Sequence, residues 1–278
     1  MTAHPRLSLN QATIKYAPLD VALEVTAGAG IRSIGLWREP VQEVGLAQAV
    51  SMVTDSGLRV SSLCRGGFFT MLEGPERRAA MDDNRLALEE AAALGAPTLV
   101  LVAGGVPAGS RDLAGARERV RDAIGELADT AGALGVSLAI EALHPMYVSD
   151  RAVVSTLGQA LDIATQFDSS QVGVVVDTFH VFWDPDLLRQ IARAGDYIAS
   201  YQVCDWATPL PADVLLARHQ PGDGVIDFGP ITAAVLAAGY AGDIEVEIFN
   251  QAIWDADYPE VARIAFERYG QLVEPFAS

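Results

Sequence analysis

The amino-acid sequence predicts a single (β/α)8 TIM barrel that covers residues 1–278. Short apolar runs alternate with amphipathic stretches from one end of the chain to the other, which is the pattern of a parallel sheet with helical crossovers. No linker rich in Ser, Gly or Pro divides the chain. The length of 278 residues, half of them apolar, is enough for one such barrel with a large core.

The strands are predicted from the apolar runs and the helices from the stretches between them. The predicted strands are residues 7–10, 33–37, 59–64, 98–102, 137–143, 173–179, 198–204 and 243–249. The predicted helices are residues 19–29, 46–56, 76–94, 112–134, 156–166, 186–194, 230–238 and 258–276. Glycines end several helices, as expected for left-handed C-caps. Residues 206–229 form a longer connection, which we interpret as a lid or binding element, with plain surface irregularity as the alternative.

Composition narrows the class of protein. The formal net charge of −17 disfavours nucleic-acid binding, which needs clustered Lys and Arg. The sequence has no long apolar run of the kind that crosses a membrane and no basic leader, so we expect a cytoplasmic protein without a membrane partner. The two cysteines are too few for a disulfide framework. These features favour a small-molecule ligand.

Polar residues near the ends of four predicted strands are the candidate metal ligands. They are Glu141, Asp177, Gln202 and Glu247. A buried ionised carboxylate costs several kcal/mol unless a cation or a hydrogen-bond partner compensates it. We therefore expect a divalent metal where these strand ends meet. The alternative for each carboxylate is an ion pair with Arg or Lys, but such residues are scarce within these strands.

The four candidate ligands make an all-oxygen set. A set without imidazole nitrogen favours Mn²⁺ or Mg²⁺ over Zn²⁺. One divalent ion per chain is the expectation. In the alternative, Gln202 only hydrogen-bonds a neighbour and water completes the coordination.

Other candidates follow the strands at the predicted mouth of the barrel. His144 and His180 lie three residues beyond Glu141 and Asp177, so each is a candidate proton carrier, with a structural hydrogen bond as the alternative. The substrate-binding candidates are His180, Trp37, Arg38, Arg65, Phe68 and Asp205. Arginines suit hydroxyl or carboxylate groups and aromatics suit sugar-like rings, although ordinary rim ion pairs explain the arginines equally well.

The sequence resembles the xylose-isomerase-like TIM-barrel superfamily of sugar phosphate isomerases and epimerases. The motifs that carry the resemblance are Ile-Glu141, Asp177-Thr-Phe-His180, Pro221-Gly-Asp-Gly-Val-Ile-Asp227-Phe and Val-Glu247-Ile-Phe-Asn. The resemblance implies that Glu141, Asp177 and Glu247 bind the metal, that the two glutamates are the acid/base pair and that His180 touches the substrate. Most relatives have a histidine where this chain has Gln202.

The resemblance and the strand-end residues lead to one functional hypothesis with two enzymatic rivals, beside the alternative of a non-catalytic binding barrel. The first is a metal-dependent sugar or polyol isomerase or epimerase that moves a proton through an enediolate. A rival is a lyase or dehydratase that eliminates from a 3-oxo-sugar or 3-oxo-C-glycoside, with His144 as the base. A remote rival is an endonuclease IV-type nuclease, which the net charge and the four histidines disfavour. Either a homo-oligomer or a small partner subunit is compatible with the resemblance.

Overall fold

The computed structural model describes residues 4–277, and within this range the predicted barrel is confirmed. Eight parallel strands close in the order β1-β10-β7-β6-β5-β4-β3-β2, and β8 and β9 form a separate antiparallel pair. The strands are β1 (Leu7–Asn10), β2 (Ser33–Trp37), β3 (Arg59–Gly67), β4 (Thr98–Val102), β5 (Ser137–Glu141), β6 (Val172–Asp177), β7 (Ile198–Val203), β8 (Asp205–Trp206), β9 (Arg218–His219) and β10 (Ile244–Val246). The predicted domain of residues 1–278 includes residues 1–3 and 278, which lie outside the described residues.

Helices connect the barrel strands. They are α1 (Leu19–Gly28), α2 (Arg38–Val44), α3 (Leu46–Ser56), α4 (Pro75–Leu94), α5 (Leu113–Leu134), α6 (Leu157–Ala164), α7 (Thr178–Val181), α8 (Leu187–Ala194), α9 (Phe228–Ala237), α10 (Gln251–Trp254) and α11 (Tyr258–Leu272). None of the helices formed by residues 4–277 is long and apolar enough to cross a bilayer.

The predicted strands extend too far where a polar side chain ends the strand. Residues 173–179 were expected to be one strand, yet β6 stops at Asp177 and the next residues form the short helix α7. Asp177 Oδ1 accepts a hydrogen bond from Phe179 N at 2.8 Å, so this carboxylate is the N-cap of α7. The expected strands 137–143 and 243–249 are likewise shortened to β5 and β10. Apolar residues alone do not mark where an extended backbone ends.

The barrel has an apolar outer layer and a polar interior. On β1, Leu7 and Leu9 pack in the main hydrophobic core, whereas Ser8 and Asn10 point to the opposite side and are also fully buried. Asn10 Nδ2 donates to Glu245 Oε2 at 2.9 Å across the barrel interior. The interior beneath the strand ends therefore holds hydrogen-bonding groups and not a purely aliphatic filling.

The long connection between β7 and α9 is an ordered segment built on Asp205. Its Oδ1 accepts from Trp206 N at 2.8 Å and from Ile226 N at 3.0 Å, and its Oδ2 accepts from Gly222 N at 2.8 Å. The β8–β9 pairing places Trp206 opposite Arg218. This hairpin folds the segment back over the carboxyl ends of β6, β7 and β10.

Candidate functional site

Three carboxylates converge at the carboxyl ends of the barrel strands. Glu141 ends β5, Asp177 ends β6 and Glu247 directly follows β10, and all three are buried, at 6%, 1% and 4% exposure. His180 Nε2 lies 3.8 Å from Glu141 Oε1 and 3.9 Å from Asp177 Oδ2. Glu141, Asp177 and His180 offer atoms within 4.8 Å of one another, a spacing that suits a metal ion.

Arg218 lies among these carboxylates and was not predicted. Its Nη1 is 2.7 Å from Asp177 Oδ2 and 3.0 Å from Glu247 Oε2. Its own carbonyl accepts from Asn250 Nδ2 at 2.9 Å, and its guanidinium carbon lies 4.9 Å from the centre of the Phe179 ring. The alternative of pairing with a basic residue is therefore observed for Asp177 and Glu247, although the arginine comes from β9 and not from the barrel strands.

The charges at this centre do not balance. Three carboxylates face one guanidinium, and a buried group cannot rely on water to screen the excess. Burial, followed by the charges of Glu247 and Asp177, raises the pKa of Glu141 well above its usual range. Burial also raises the pKa of Glu247 to about 8, against the opposing effect of Arg218. The centre therefore favours either bound protons or a further cation.

His180 is held as a neutral ring. Burial, followed by the charge of Arg218, lowers its pKa well below the usual value. Its Nδ1 faces the backbone N–H of His144 at 3.3 Å, and its Nε2 faces Arg218 Nη2 at 2.9 Å. Because a neutral imidazole carries one ring N–H, the ring can accept from only one of these donors. A cation that displaced the guanidinium would remove this conflict.

Gln202 is the fourth predicted ligand and lies next to Asp177 in the β6–β7 register. It is fully buried, and its Oε1 has no hydrogen-bond partner among residues 4–277, whereas its amide group lies beside Glu245, its register neighbour on β10, and opposes the rise in the pKa of that carboxyl. Buried amides in folded proteins nearly always have partners. An oxygen donor without a partner beside a buried carboxylate fits a divalent cation, so the residues present fit the predicted metal.

A cavity of about 610 Å³ opens above this centre. Glu141, His180, Arg218 and Glu247 form part of its wall. The remaining wall includes aromatic groups and cations, among them Trp37, Phe249, Tyr147, Lys15, Arg65 and Arg151. Of the predicted substrate-binding residues, Trp37, Arg65 and His180 therefore reach the cavity.

The three other predicted substrate-binding residues, Arg38, Phe68 and Asp205, lie outside the cavity wall. Arg38 is 6% exposed and forms an ion pair with Glu90 at 2.5 Å and with Asp83 at 2.8 Å, because α2 begins directly at Arg38 and packs towards α4. Phe68 lies 4.7 Å beneath the Arg65 guanidinium. Asp205 orders the long connection.

His144 lies in a separate aromatic setting. Its ring centre is 5.3 Å from that of Trp183 and 5.2 Å from that of Trp206. Its Nδ1 accepts from Met146 N at 3.2 Å, which makes it the N-cap of a short 3-10 helix. Burial lowers the pKa of His144. These contacts position the loop after β5.

Sequence reasoning missed several residues of the cavity wall, among them the cationic residues Arg218 and Lys15. Arg218 lies in the long connection that was expected to be a lid or binding element, but nothing in its neighbours distinguishes it from a surface arginine. Lys15 is the only lysine among 19 basic residues. The presence of one lysine among arginines could have marked this position as a candidate from the sequence alone.

The comparisons with known proteins agree on one family. A family model described as Xylose isomerase-like TIM barrel matches residues 23–268. The 3-dehydroshikimate dehydratase of Pseudomonas putida is 35% identical over 159 residues, which are 55% of this chain and 23% of that protein. The inosose isomerase of Bacillus licheniformis is 28% identical over 155 residues, which are 54% of each protein.

The chain thus matches about half the length of the isomerase and less than a quarter of the dehydratase. A crystal structure of a protein from Sinorhizobium meliloti 1021 is 46% identical, with a TM-score of 0.93, and the match covers 96% of this chain and 98% of that one. The resemblance stated from the sequence motifs is confirmed. The relatives with named activities include both an isomerase and a dehydratase.

Proposed function

This chain belongs to the xylose isomerase-like TIM-barrel family, and from that membership we propose that it is a metal-dependent isomerase or epimerase of a polyhydroxylated carbonyl compound. The observation that carries the proposal is the placement of two glutamates, Glu141 and Glu247, in the wall of one cavity above a buried cluster of oxygen donors. Two carboxyl groups that face one substrate can remove a proton and return it.

The residues suited to hold the metal are Glu141, Asp177 and Glu247, with Gln202 or His180 as the fourth. When bound, a divalent cation would polarise the substrate carbonyl and stabilise the negative charge that develops on its oxygen. With Gln202 as the fourth ligand, the oxygen set favours Mn²⁺ or Mg²⁺. With His180, the imidazole nitrogen favours Zn²⁺.

The two glutamates differ in their surroundings, and this difference suggests their roles. Glu247 Oε2 is 3.0 Å from the Arg218 guanidinium, which opposes the effect of burial on its pKa, so it is the more readily ionised of the two glutamates and we assign it as the base. Glu141 has the neutral His180 ring at 3.8 Å and two like charges nearby, which favour its protonated form, so we assign it as the acid. Arg218 is positioned to orient a substrate oxygen between them.

A dehydratase or lyase is the second candidate. It is favoured by the 35% identity to a 3-dehydroshikimate dehydratase, a higher value than for the isomerase. The same base would remove the proton next to the carbonyl, and a leaving group on the adjacent carbon would then depart. In either reaction we assign the base as Glu247 and not as His144, because His144 does not line the cavity.

Solvent isotope exchange tests the shared proton transfer. The Mn²⁺-loaded protein is incubated in D₂O with a panel of ketoses, inososes and 3-oxo-cyclitol acids, and deuterium at the alpha carbon is measured by NMR. We expect exchange with at least one member, and product analysis then separates isomerisation from elimination. Glu247→Gln should reduce the rate of exchange by about 10² to 10⁴-fold. The control variant Glu118→Gln, on an exposed face of α5, should exchange at the wild-type rate. Turnover without exchange would reject both candidates.

A further inference from the structure

The only lysine of the chain reaches the cavity. The sequence has 18 arginines and one lysine, Lys15, which follows the strand β1 and a short 3-10 helix. Its Nζ lies 4.6 Å from the centre of the Trp254 ring and 5.8 Å from that of Phe249. Within residues 4–277 it forms no ion pair with a carboxylate.

This environment keeps the ammonium charge available. Aromatic faces attract a cation through their quadrupoles but do not neutralise it. Acidic residues outnumber basic ones by 36 to 19 in this chain, yet of the cationic residues that line the cavity, Lys15 and Arg65 form no ion pair within residues 4–277, whereas Arg151 and Arg218 do. The Arg65 guanidinium stacks on Phe68, which lies outside the cavity wall. An ammonium group in the cavity wall can bind an anion of the ligand.

Lys15 and the buried centre line one cavity and are linked by an aromatic ring. Arg218 also contacts Phe249, with its guanidinium carbon 5.3 Å from the ring centre. Lys15 and Arg218 are thus two cations against one aromatic ring, with Arg218 among the carboxylates and Lys15 in the outer wall. Lys15 lines the same cavity as Glu141 and Glu247, so a ligand with its carbonyl near the two glutamates shares that cavity with the ammonium group.

The part of the rim next to Lys15 carries the opposite charge, because β1 and β2 are neighbouring strands and α2 directly follows β2. Glu39 and Glu43, on α2, are exposed residues of the same cavity wall. The mouth is therefore polarised and not generally basic. A ligand with one anionic end would be oriented by these charges, since its anion is attracted to the Lys15 ammonium and repelled by the neighbouring Glu39 and Glu43 carboxylates.

We propose that the substrate carries a carboxylate and that Lys15 binds it, so that the ligand class is a polyhydroxylated keto acid and not a neutral sugar. This inference rests on the proposed function for the reacting end of the molecule. A carboxylate is favoured over a phosphate because phosphate sites use several donors from a glycine-rich turn or a helix N-terminus. The turn from Asn10 to Leu19 has no glycine.

Because Lys15 is the only lysine, its amine can be observed selectively. Reductive methylation with ¹³C-formaldehyde keeps the positive charge and labels Lys15 and the chain terminus, and the signal missing from Lys15→Arg identifies Lys15. The metal-loaded protein is titrated with quinate, its neutral methyl ester and inorganic phosphate. We expect a saturable shift of the Lys15 signal with quinate, none with the ester and a weaker response to phosphate.

Calorimetry of the unlabelled protein gives the second measurement. Lys15→Gln should weaken quinate binding about tenfold, the effect of losing ~1.4 kcal/mol, while Lys15→Arg retains it and the surface variant Arg263→Gln leaves it unchanged. An ester that shifts the signal as much as the acid, no saturable shift with quinate, or unchanged affinity in Lys15→Gln overturns the proposal. A larger shift of the Lys15 signal with phosphate than with quinate would mean that Lys15 binds a phosphate group and not a carboxylate. Binding through Lys15 without isotope exchange would instead reject the proposed function.

Discussion

Removal of Arg218 is the most direct test of the charge balance at the buried centre. Arg218→Met removes the guanidinium and retains an unbranched side chain that still packs against Phe179 and Phe249, since thioethers pack well against aromatic rings. The variant loses the 2.7 Å contact with Asp177 and the 3.0 Å contact with Glu247. In the absence of metal, these carboxylates are then left with no cation between them.

The expected cost follows from burial. Arg218 is 4% exposed and its carboxylate partners are equally buried, and removing one member of a buried ion pair costs about 3–5 kcal/mol. For a protein of this size, each kcal/mol lowers Tm by roughly 2–4 °C. The metal-free variant should therefore melt on the order of 10 °C below the wild type.

Added metal should reverse most of this loss. A divalent cation that binds only the folded state stabilises it by mass action, and the variant presents a more negative site without a competing guanidinium. The assay is thermal and urea unfolding in EDTA and in excess Mn²⁺. We expect Mn²⁺ to raise the Tm of Arg218→Met more than that of the wild type.

Arg263→Met is the matched control. Arg263 also pairs with two glutamates, Glu260 and Glu267, but on the exposed surface of α11, where ion pairs contribute little. It should melt close to the wild type in both conditions. If Arg218→Met were as stable as the wild type in EDTA, the buried charge imbalance described for this centre would be refuted.

Three further predictions concern the ligands, the titration and the fold. Gln202→Leu should weaken Mn²⁺ binding in calorimetry by about 10- to 100-fold, and an unchanged affinity would remove Gln202 from the ligand set. Since the pKa of Glu247 is raised to about 8, the folded metal-free protein holds a proton there that the unfolded chain releases near pH ~4.3. Its contribution to stability is therefore lost as pH rises from ~4.3 through 8. Because burial raises the pKa of Glu141 as well, urea unfolding should show a steeper loss of stability in the wild type than in Glu247→Gln, and identical slopes would contradict the prediction. Gly67→Ala should prevent folding, because its φ is +113° and the added Cβ would lie 1.9 Å from the carbonyl oxygen of Val102. Gly109→Ala, at φ +77° in open space, should cost only ~1–2 kcal/mol, and equal unfolding midpoints for the two variants would refute the steric explanation.

The sequence alone determined the barrel and the positions of its strand-end carboxylates. Apolar runs separated by amphipathic stretches have few compact solutions other than parallel strands with helical crossovers, and such strands carry their reactive groups to one edge. Glu141, Asp177 and Glu247 were therefore expected to meet, and in the structure they do. The family resemblance followed from the motifs around the same residues.

Only the tertiary structure decided which cations reach those carboxylates. Arg218 is 41 residues from Asp177 and 29 from Glu247, and its place depends on the β8–β9 pairing and on the bonds that Asp205 accepts from the same segment. Arg38 shows the reverse case, because an arginine that follows a strand turns away from the mouth once α4 offers Glu90. Long side chains pair with whichever carboxylate the folded chain brings within reach. The residues next to an arginine in the sequence do not predict which carboxylate that will be.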